Sequence, residues 1–549
     1  MRIVLILFTS VIVLQDGLAQ KQKRSDKLIL ANLEYEIHYL ADDKLEGRRT
    51  GTPGEKLAAE FIISEFQKIG LEPKSDHGKW LQSFEVHDGK QVGPRTHLII
   101  NNTELQLEKE YFPLSYSALK SVEGMPAIAL QEIGVPWFID CRDILESNTG
   151  NPHFDLDDAI HAKVKDCAKK GATAVILYNS SKIGDHIEFD PKDHSETESI
   201  PVLYVNWDAK RKYLKDESAT MDVKINVEMS EKLRTGNNVI GWLDLGATNT
   251  VIIGAHYDHL GYGEDGNSLY RGPEKKIHNC ADDNASGVAA MIELARLLKQ
   301  SKLKKNNYLF IAFSGEELGL LGSKYFTEHP TRELKTVNFM FNMDMVGRLN
   351  DSTHALTIGG YGSSPEWGEL LSGNTDKNYF RIKFDSSGTG PSDYTSFYRK
   401  DIPVLFFFTG IHSDYHKPTD DYDKINYAGE LELVKWIFSL IQNLDKQGRL
   451  AFSKTKESPA MGSARFSVTL GIMPDYSYNG NGVRVDGISD GRPAQLAGLK
   501  AGDVIVKLGD YRVSSLETYM EALSKFKKGD STKLQYQRGN DLAESVVQF

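Results

Sequence analysis

Apolar runs of strand length alternate with amphipathic segments of helix length through the second half of the chain. The apolar runs begin near Val251, Tyr308, Val337 and Ile402, and segments such as GVAAMIELARLLK lie between them. Apolar strands separated by helices are typical of a parallel sheet that is covered on both faces. The pattern therefore predicts an α/β fold with a mostly parallel central sheet and helices on both faces.

Changes in this pattern predict the domain boundaries. GEKLAAEFIISEFQKIGLEP indicates an amphipathic helix that ends at Gly70, while AKVKDCAKKGATAVILYN and IPVLYVN indicate a small separate α/β module. The polar joint SKTKESPAMGS precedes a final segment of short strands. We expect a core formed by residues 26–111 and 231–455, an inserted module at 112–230 and a last domain at 461–549.

The first residues have the order of a secretory signal. Arg2 precedes an apolar run from Ile3 to Leu14, and Gly17 and Ala19 follow. This order predicts a cleaved signal peptide over residues 1–19 and a secreted or periplasmic protein without stable membrane insertion after cleavage. An uncleaved membrane anchor is the alternative, although the apolar run is short for a span.

Charge and cysteine content restrict the class of protein. The net charge is −11, with no basic run, which argues against a nucleic-acid partner. The cysteines are Cys141, Cys167 and Cys280. They form no disulfide framework, although an oxidising compartment would permit Cys141 to pair with Cys167.

Acidic and imidazole side chains follow the predicted strands at one edge of the sheet, where ligands bind in such folds. They are His256, Asp258, Asp282, Asp283, Glu316, Glu317, Asp344, His412 and His416. Helix capping explains an Asp or Asn before a helix, but not Glu316 and Glu317 after an apolar strand. So many carboxylates at one edge require a compensating cation.

Histidine and carboxylate ligands without cysteine suit catalytic zinc. The set exceeds one tetrahedron, so two Zn²⁺ ions that share a carboxylate are expected, the arrangement that activates water for hydrolysis. If Glu316 and Glu317 continue the strand, they point in opposite directions. One can then bind metal while the other acts as a general base.

The motifs GAHYDHLG, ADDNASG, FSGEELGLLGS, NMDMVGR and GIHSDYHKPTD together resemble the co-catalytic di-zinc aminopeptidase family. That family includes secreted bacterial leucine aminopeptidases and, more distantly, glutamate carboxypeptidases. The resemblance implies the zinc exopeptidase fold and a defined role for each motif residue. His256 and Asp344 would hold one zinc, Glu317 and His416 the other, Asp283 would bridge both, Asp258 would hydrogen-bond His256, and Glu316 would take the proton from the metal-bridging water.

The resemblance also sets expectations for neighbouring residues. A cis peptide bond is implied at Asp283–Asn284. Cys280 stands where many relatives have glycine, either as a small buried residue or as a stray zinc ligand. DSSGTGPSDYTSFYRK matches the loop that closes over the substrate. The pocket candidates are Ser392, Asp393 and Tyr394. His259, His278 and His412 have no ligand position in the family pattern and are expected either at the rim or in contact with the ligands from behind.

The accessory segments carry resemblances of their own. The inserted module resembles the protease-associated domain, and the last segment, with GVRVDGISDGRPAQLAGLKAGDVIVKLGDYRV, resembles a PDZ domain. Leu470, Gly471 and Ile472 would form the PDZ carboxylate-binding loop and adjoining strand. Peptide or protein C-termini could add there as an extra strand, while the alternative is a structural appendage.

These observations predict an exported zinc exopeptidase that removes amino-terminal residues from peptides. A carboxypeptidase on the same scaffold is the first alternative, because Arg348, Arg381 and Arg399 could bind a substrate carboxylate. A non-catalytic peptide-binding protein is the second alternative. A glutaminyl cyclase is disfavoured because every di-zinc ligand is present.

Overall fold

The computed structural model describes residues 24–148, 154, 156–191, 193, 195–216, 218–270, 272–373, 379–455, 468–474, 478, 480–488, 492–527 and 529–549. The predicted signal peptide, residues 1–19, and most of the predicted joint before the last domain lie outside these ranges. Within the described ranges, no helix combines the length and apolar character needed to cross a membrane.

Strands and helices alternate as the hydrophobic pattern predicts. In chain order the described strands are β1 (Glu72–Pro73), β2 (Leu81–Val92), β3 (His97–Ile100), β4 (Thr103–Glu104), β5 (Tyr111–Pro113), β6 (Ser121–Gly124), β7 (Trp137–Asp140), β8 (Val175–Tyr178), β9 (Val202–Val205), β10 (Val223–Asn226), β11 (Met229–Leu243), β12 (Asn249–His256), β13 (Asn306–Phe313), β14 (Val337–Met343), β15 (Ala355–Gly359), β16 (Arg381–Phe384), β17 (Val404–Phe408), β18 (Ile472–Pro474), β19 (Val483–Ile488), β20 (Val504–Leu508), β21 (Tyr511–Arg512), β22 (Ser531–Arg538) and β23 (Asp541–Gln548). The described helices are α1 (24–40), α2 (Pro53–Ile69), α3 (Arg142–Ser147), α4 (Leu156–Lys169), α5 (Trp207–Tyr213), α6 (Gly287–Gln300), α7 (Leu321–Glu328), α8 (Trp367–Gly373), α9 (Tyr394–Tyr398), α10 (Tyr427–Leu444), α11 (Pro493–Leu496) and α12 (Leu516–Ser524).

The central sheet has a parallel middle and antiparallel flanks. Its order is β1-β11-β13-β12-β14-β17-β15-β16, and β2 also pairs with β11. The middle strands β13, β12, β14 and β17 are mutually parallel, whereas β11 and β15 join this group antiparallel. The predicted α/β fold is confirmed, and the sheet as a whole is mixed.

Both faces of the central sheet are buried. Alternate residues of β12 point to opposite sides, so that Ile253 packs in the core with α1, α2, α6 and α10. Ile252 packs in a second core with α7 and α9. The helix predicted to end at Gly70 does so, because Gly70 adopts a φ of 81° and its N–H caps the last turn.

The inserted module has two small sheets of its own. One has the order β4-β3-β10-β6 and the other β5-β9-β8-β7. Because β3 and β4 pair within the module, its sheets start near residue 97, so the predicted boundary at 112 was placed too late. Cys141 and Cys167 are both free thiols in one apolar core of this module.

The last domain forms a separate sheet with the order β18-β19-β20-β22-β23, in which β21 pairs with β20. Gly471 has a φ of 73° immediately before β18. Leu470 is buried in the core of this domain, and its carbonyl accepts the N–H of Ala494 at 2.9 Å. Strand β18 is the outermost strand of its sheet within the described residues.

Candidate metal centre

The parallel strands deliver the predicted side chains to one edge of the sheet. Strand β12 ends at His256, Asp344 directly follows β14, and the loop after β17 carries His416. Asp283 lies in the turn Ala281–Ser286, which leads into α6, and its own backbone is not helical. The carboxyl ends of parallel strands meet at the same edge, and these four residues converge there.

Asp283 lies between two histidines, and each carboxylate oxygen faces one of them. Oδ1 is 3.2 Å from Nε2 of His256, and Oδ2 is 3.4 Å from Nε2 of His416. The same histidine nitrogens face a second carboxylate: His256 Nε2 is 3.3 Å from Asp344 Oδ1, and His416 Nε2 is 3.4 Å from Glu317 Oε2. Asp283 therefore stands where a ligand shared by two metal ions would stand.

These separations test whether zinc fits. Two ligand atoms at about 2.0–2.1 Å from one tetrahedral zinc lie about 3.3 Å apart. The four distances of 3.2–3.4 Å match that value. Although burial disfavours its charge, the surrounding histidines hold the pKa of Asp283 well below its usual range, so it is ionised as a ligand must be. The donor set fits two zinc ions.

Backbone carbonyls fix which nitrogen of each histidine faces the centre. His256 Nδ1 is 3.1 Å from the carbonyl of Asp258, and His416 Nδ1 is 2.9 Å from the carbonyl of Asn267. Donation from Nδ1 leaves Nε2 with its lone pair towards the metal position. The expected bond from the Asp258 side chain to His256 was wrong, because Oδ1 lies 3.8 Å from Nδ1.

The Asp258 carboxylate instead accepts hydrogen bonds from two other segments. It accepts the Thr50 hydroxyl at 2.9 Å and the N–H of Glu316 at 3.2 Å. Asp258 therefore positions the turn that carries Glu316. Sequence reasoning missed Thr50, which is buried. The available signal was the glycine-rich run GRRTGTPG, because glycines allow the backbone of this segment to lie close to another segment.

Glu316 and Glu317 lie in a turn and not on a strand, so the strand-alternation argument was wrong. Strand β13 ends at Phe313, and Gly315 adopts a φ of 68°, which breaks the extended backbone. The two carboxyl groups nevertheless differ. Desolvation, with repulsion from Asp344 and Glu317, raises the pKa of Glu316 well above its usual range.

Glu317 shows the opposite shift. Burial opposes its ionisation, but His416 and His259 outweigh burial and lower its pKa to about 2. An ionised Glu317 suits a metal ligand, and a proton-binding Glu316 suits a general base.

The three pocket candidates are buried, as most of the candidate metal ligands are, and their contact with substrate stays a prediction. Ser392, Asp393 and Tyr394 are 0%, 0% and 3% exposed. Ser392 donates to Asp344 Oδ2 at 2.8 Å and accepts from Asn342 at 2.7 Å, so it orients a candidate ligand. Tyr394 stacks on Phe406, and burial raises the pKa of Asp393 to about 7.

The three histidines expected at the rim or behind the ligands occupy different places. His259 lies inside the centre, with Nδ1 2.5 Å from Glu317 Oε1 and 3.9 Å from Asp283 Oδ1. His278 contacts the Ser268 hydroxyl at 2.7 Å, and His412 lies 3.2 Å from Asp282 Oδ2. The place of His259 in the centre could have been inferred from the motif H-Y-D-H, in which it lies three residues after His256.

Cys280 is buried, with a φ of 52°. Burial, together with nearby Asp420 and Asp283, raises the pKa of its thiol well above the usual range, and Cys280 belongs to neither cluster of possible metal donors among the described residues. This favours the small packed residue over the stray ligand. The peptide bond Asp283–Asn284 is cis, as the resemblance implied.

The arginines considered for a carboxylate pocket are placed as follows. Arg348 lies 3.4 Å from Asp414 and 3.8 Å from Asp420. Arg381 is exposed at the start of edge strand β16. Arg399 is the first residue after α9, the helix that follows Ser392 and Asp393 in the chain.

Comparisons with known proteins concern the family of the chain and its last domain. The model of peptidase family M28 matches residues 238–441, and the PDZ domain model matches residues 461–548. Aminopeptidase YwaD of Bacillus subtilis is 28% identical over 394 residues, which cover 69% of this chain and 77% of that protein. An aminopeptidase structure from Aneurinibacillus sp. strain AM-1 is 23% identical with a TM-score of 0.41, covering 78% of this chain and 96% of its own.

A fungal relative is closer in sequence. Leucine aminopeptidase 2 of Trichophyton rubrum is 31% identical over 415 residues, which cover 72% of this chain and 75% of that protein. The chain therefore belongs to peptidase family M28 and carries a C-terminal PDZ domain.

Proposed function

We propose that this protein is a two-zinc aminopeptidase that removes amino-terminal residues from peptides. The observation that carries the proposal is the placement of Asp283, whose two oxygens face Nε2 of His256 and Nε2 of His416 at 3.2 and 3.4 Å. His256 and Asp344 would hold one ion, and His416 and Glu317 the other. Bound zinc would stabilise negative charge and lower the pKa of water.

The chain's own residues then divide the proton chemistry. The raised pKa of Glu316 lets this carboxylate accept a proton at neutral pH and release it again. Glu316 would accept a proton from the attacking water and deliver it to the leaving amine as the peptide C–N bond breaks. The Asp258 carboxylate accepts the backbone N–H of Glu316 and so fixes the position of the turn that carries the base.

A free α-amine is the substrate feature that this site favours. Glu316 lies close to Asp344 and Glu317, and its carboxylate, which is not assigned to a metal ion, would favour an ammonium group over a terminal carboxylate. The carboxypeptidase alternative needs a cation directed at the substrate. Arg348, the arginine nearest to the centre in sequence, is engaged with Asp414 and Asp420.

The decisive experiment compares substrates on protein of known metal content. Elemental analysis should give two zinc ions per chain, and chelation should abolish turnover. Leucyl-4-nitroanilide should be hydrolysed, whereas its N-acetyl derivative and an N-blocked dipeptide with a free carboxyl terminus should not. Preference for the N-blocked dipeptide would establish a carboxypeptidase instead, and one tightly bound metal with full activity would contradict the bridged site.

The accessory regions extend the proposal. Residues 1–19 would direct export, and the inserted module would be a protease-associated domain that shapes access to the centre. The free edge of β18, next to Leu470 and Gly471, would accept the C-terminus of a peptide as an added strand.

A further inference from the structure

Arg48 is a fully buried cation beneath the candidate metal centre. Only 1% of it is exposed, and its guanidinium donates hydrogen bonds to four backbone carbonyls of the described residues. Nε donates to the carbonyl of Tyr257 at 2.8 Å, and Nη2 donates to that of Cys280 at 3.0 Å. Nη1 donates to Asn279 at 2.7 Å and also to Leu40.

The carbonyls that Arg48 binds belong to the two loops that carry metal-facing residues. Tyr257 lies between His256 and Asp258, and Cys280 lies three positions before Asp283. One rigid planar group therefore spans the end of β12 and the turn before α6. A guanidinium fixes relative positions in this way because its five donors have a fixed geometry.

The backbone around Arg48 is fastened to the same loop. The N–H of His259 donates to the carbonyl of Arg48 at 3.1 Å, and the N–H of Gly261 donates to the carbonyl of Gly47 at 3.1 Å. Gly47 has a φ of 70°, and a Cβ there would lie 2.6 Å from the carbonyl oxygen of Gly261. The approach is therefore close enough to require glycine beside Arg48.

The charge of Arg48 also matters in these surroundings. Burial lowers its pKa, and nearby acidic groups that include Asp283 and Asp258 oppose the shift. The guanidinium remains charged, because arginine is not deprotonated in proteins. A fixed positive charge thus lies behind the carboxylates that face the metal positions.

We propose that Arg48 is a positioning residue that holds the His256–Asp258 loop and the Asp283 turn in register for metal binding. The inference rests on the proposed two-zinc function. It gives a role to a segment outside residues 238–441, the part of the chain that the peptidase family model matches. It predicts that the metal centre of this chain is incomplete without its N-terminal segment.

The test uses Arg48→Lys and Arg48→Gln in the full chain. Lysine keeps the charge and most of the volume but cannot reach four carbonyls with a planar fork. We expect both variants to fold, with zinc affinity reduced about 10–100-fold, the range for residues that orient metal ligands. The visible spectrum of the Co²⁺-substituted protein should change, and kcat should fall with little change in KM.

Arg449→Lys is the matched control. Arg449 also donates to backbone carbonyls, those of Lys335 and Val337, but at the opposite end of the same sheet. This variant should keep the native zinc affinity and Co²⁺ spectrum. If Arg48→Lys also keeps both, or if it fails to fold, the positioning role is overturned; the second outcome would make Arg48 a purely structural residue.

The two proposals fail separately. If the wild-type chain binds two zinc ions but hydrolyses no peptide, the proposed function fails, while zinc affinity and the Co²⁺ spectrum still decide the role of Arg48.

Discussion

His259 Nδ1 lies 2.5 Å from Oε1 of Glu317. The other oxygen of that carboxylate, Oε2, lies 3.4 Å from His416 Nε2. Two ligands of one tetrahedral zinc would be about 3.3 Å apart, so His416 has the spacing of a second ligand and His259 is too close. Neither His259 Nδ1 nor Glu317 Oε1 makes a hydrogen bond among the described residues, and we interpret His259 as a close neighbour that limits where the oxygen of Glu317 not used for metal can lie.

Replacement of His259 by Gln should therefore weaken metal binding without abolishing it. The zinc dissociation constant should rise about 10–100-fold, and added zinc should restore most of the turnover. Competition with a chromophoric chelator measures the affinity. His278→Gln is the control, because His278 contacts Ser268 and backbone carbonyls instead of a ligand. Equal zinc affinity in both variants would contradict this role for His259.

Glu316→Gln and Glu317→Gln should both lose activity, but for different reasons. Glu316→Gln should keep both zinc ions and lose about 10²–10⁴-fold in kcat, because the amide cannot accept a proton. Glu317→Gln removes a charged ligand, so zinc occupancy should fall first and added metal should partly restore activity. Elemental analysis beside steady-state kinetics distinguishes the two. Loss of metal from Glu316→Gln would reverse the assignment of base and ligand.

Glu430 should make the fold less stable as pH rises. Both its carboxyl oxygens are buried without a hydrogen-bond partner among the described residues, and burial, with Asp282 and Glu36 nearby, raises its pKa well above 4.5. The folded state then binds the proton more tightly than the unfolded state. Stability from this group is full below about pH 4.5 and declines by at most about 1.4 kcal/mol per pH unit until its folded-state pKa is passed.

Glu430→Gln should remove that decline. Urea unfolding at several pH values should show a smaller loss of unfolding free energy above pH 5 than in the wild-type protein. Glu432→Gln on the same helix is the control, because Glu432 is partly exposed and pairs with Lys435 at 2.9 Å. A decline that is unchanged in Glu430→Gln would mean that Glu430 is not the group responsible.

Removal of residues 457–549 should leave peptide hydrolysis largely intact. Every candidate ligand lies upstream, and the last domain has its own core and sheet. The measurement is kcat/KM of the truncated chain for an aminoacyl anilide. A folded, zinc-loaded truncation without turnover would show that the PDZ domain completes the site.

The sequence predicted those features that follow from local pattern. Strand-length apolar runs placed β12 and β14 correctly, and the polar residues after them, His256 and Asp344, meet because parallel strands end at one edge. The alternation argument for Glu316 and Glu317 failed because Gly315 ends the extended backbone before them. A strand boundary depends on tertiary context, which a single apolar run does not encode.

Contacts between segments that are distant in the sequence could not be predicted from local patterns. Thr50 and Arg48 reach the centre across about 200 positions of the chain, at Asp258 and Tyr257. Ser392 was a candidate for the substrate pocket, and nothing in the sequence indicated that its hydroxyl donates to Asp344. In each case a buried polar side chain donates a hydrogen bond to a partner that is distant in the sequence and comes close only in the folded chain.

The long antiparallel pair formed by β2 and β11 is the stem from which the inserted module extends. Val92, where the chain leaves the core, lies opposite Met229, where it returns. The two cut points of the module are thus neighbours in space, and a short hairpin connection could join them without shifting the register of the central sheet. The geometry of this stem would therefore let the module be removed or replaced while the strands of the peptidase core keep their pairing.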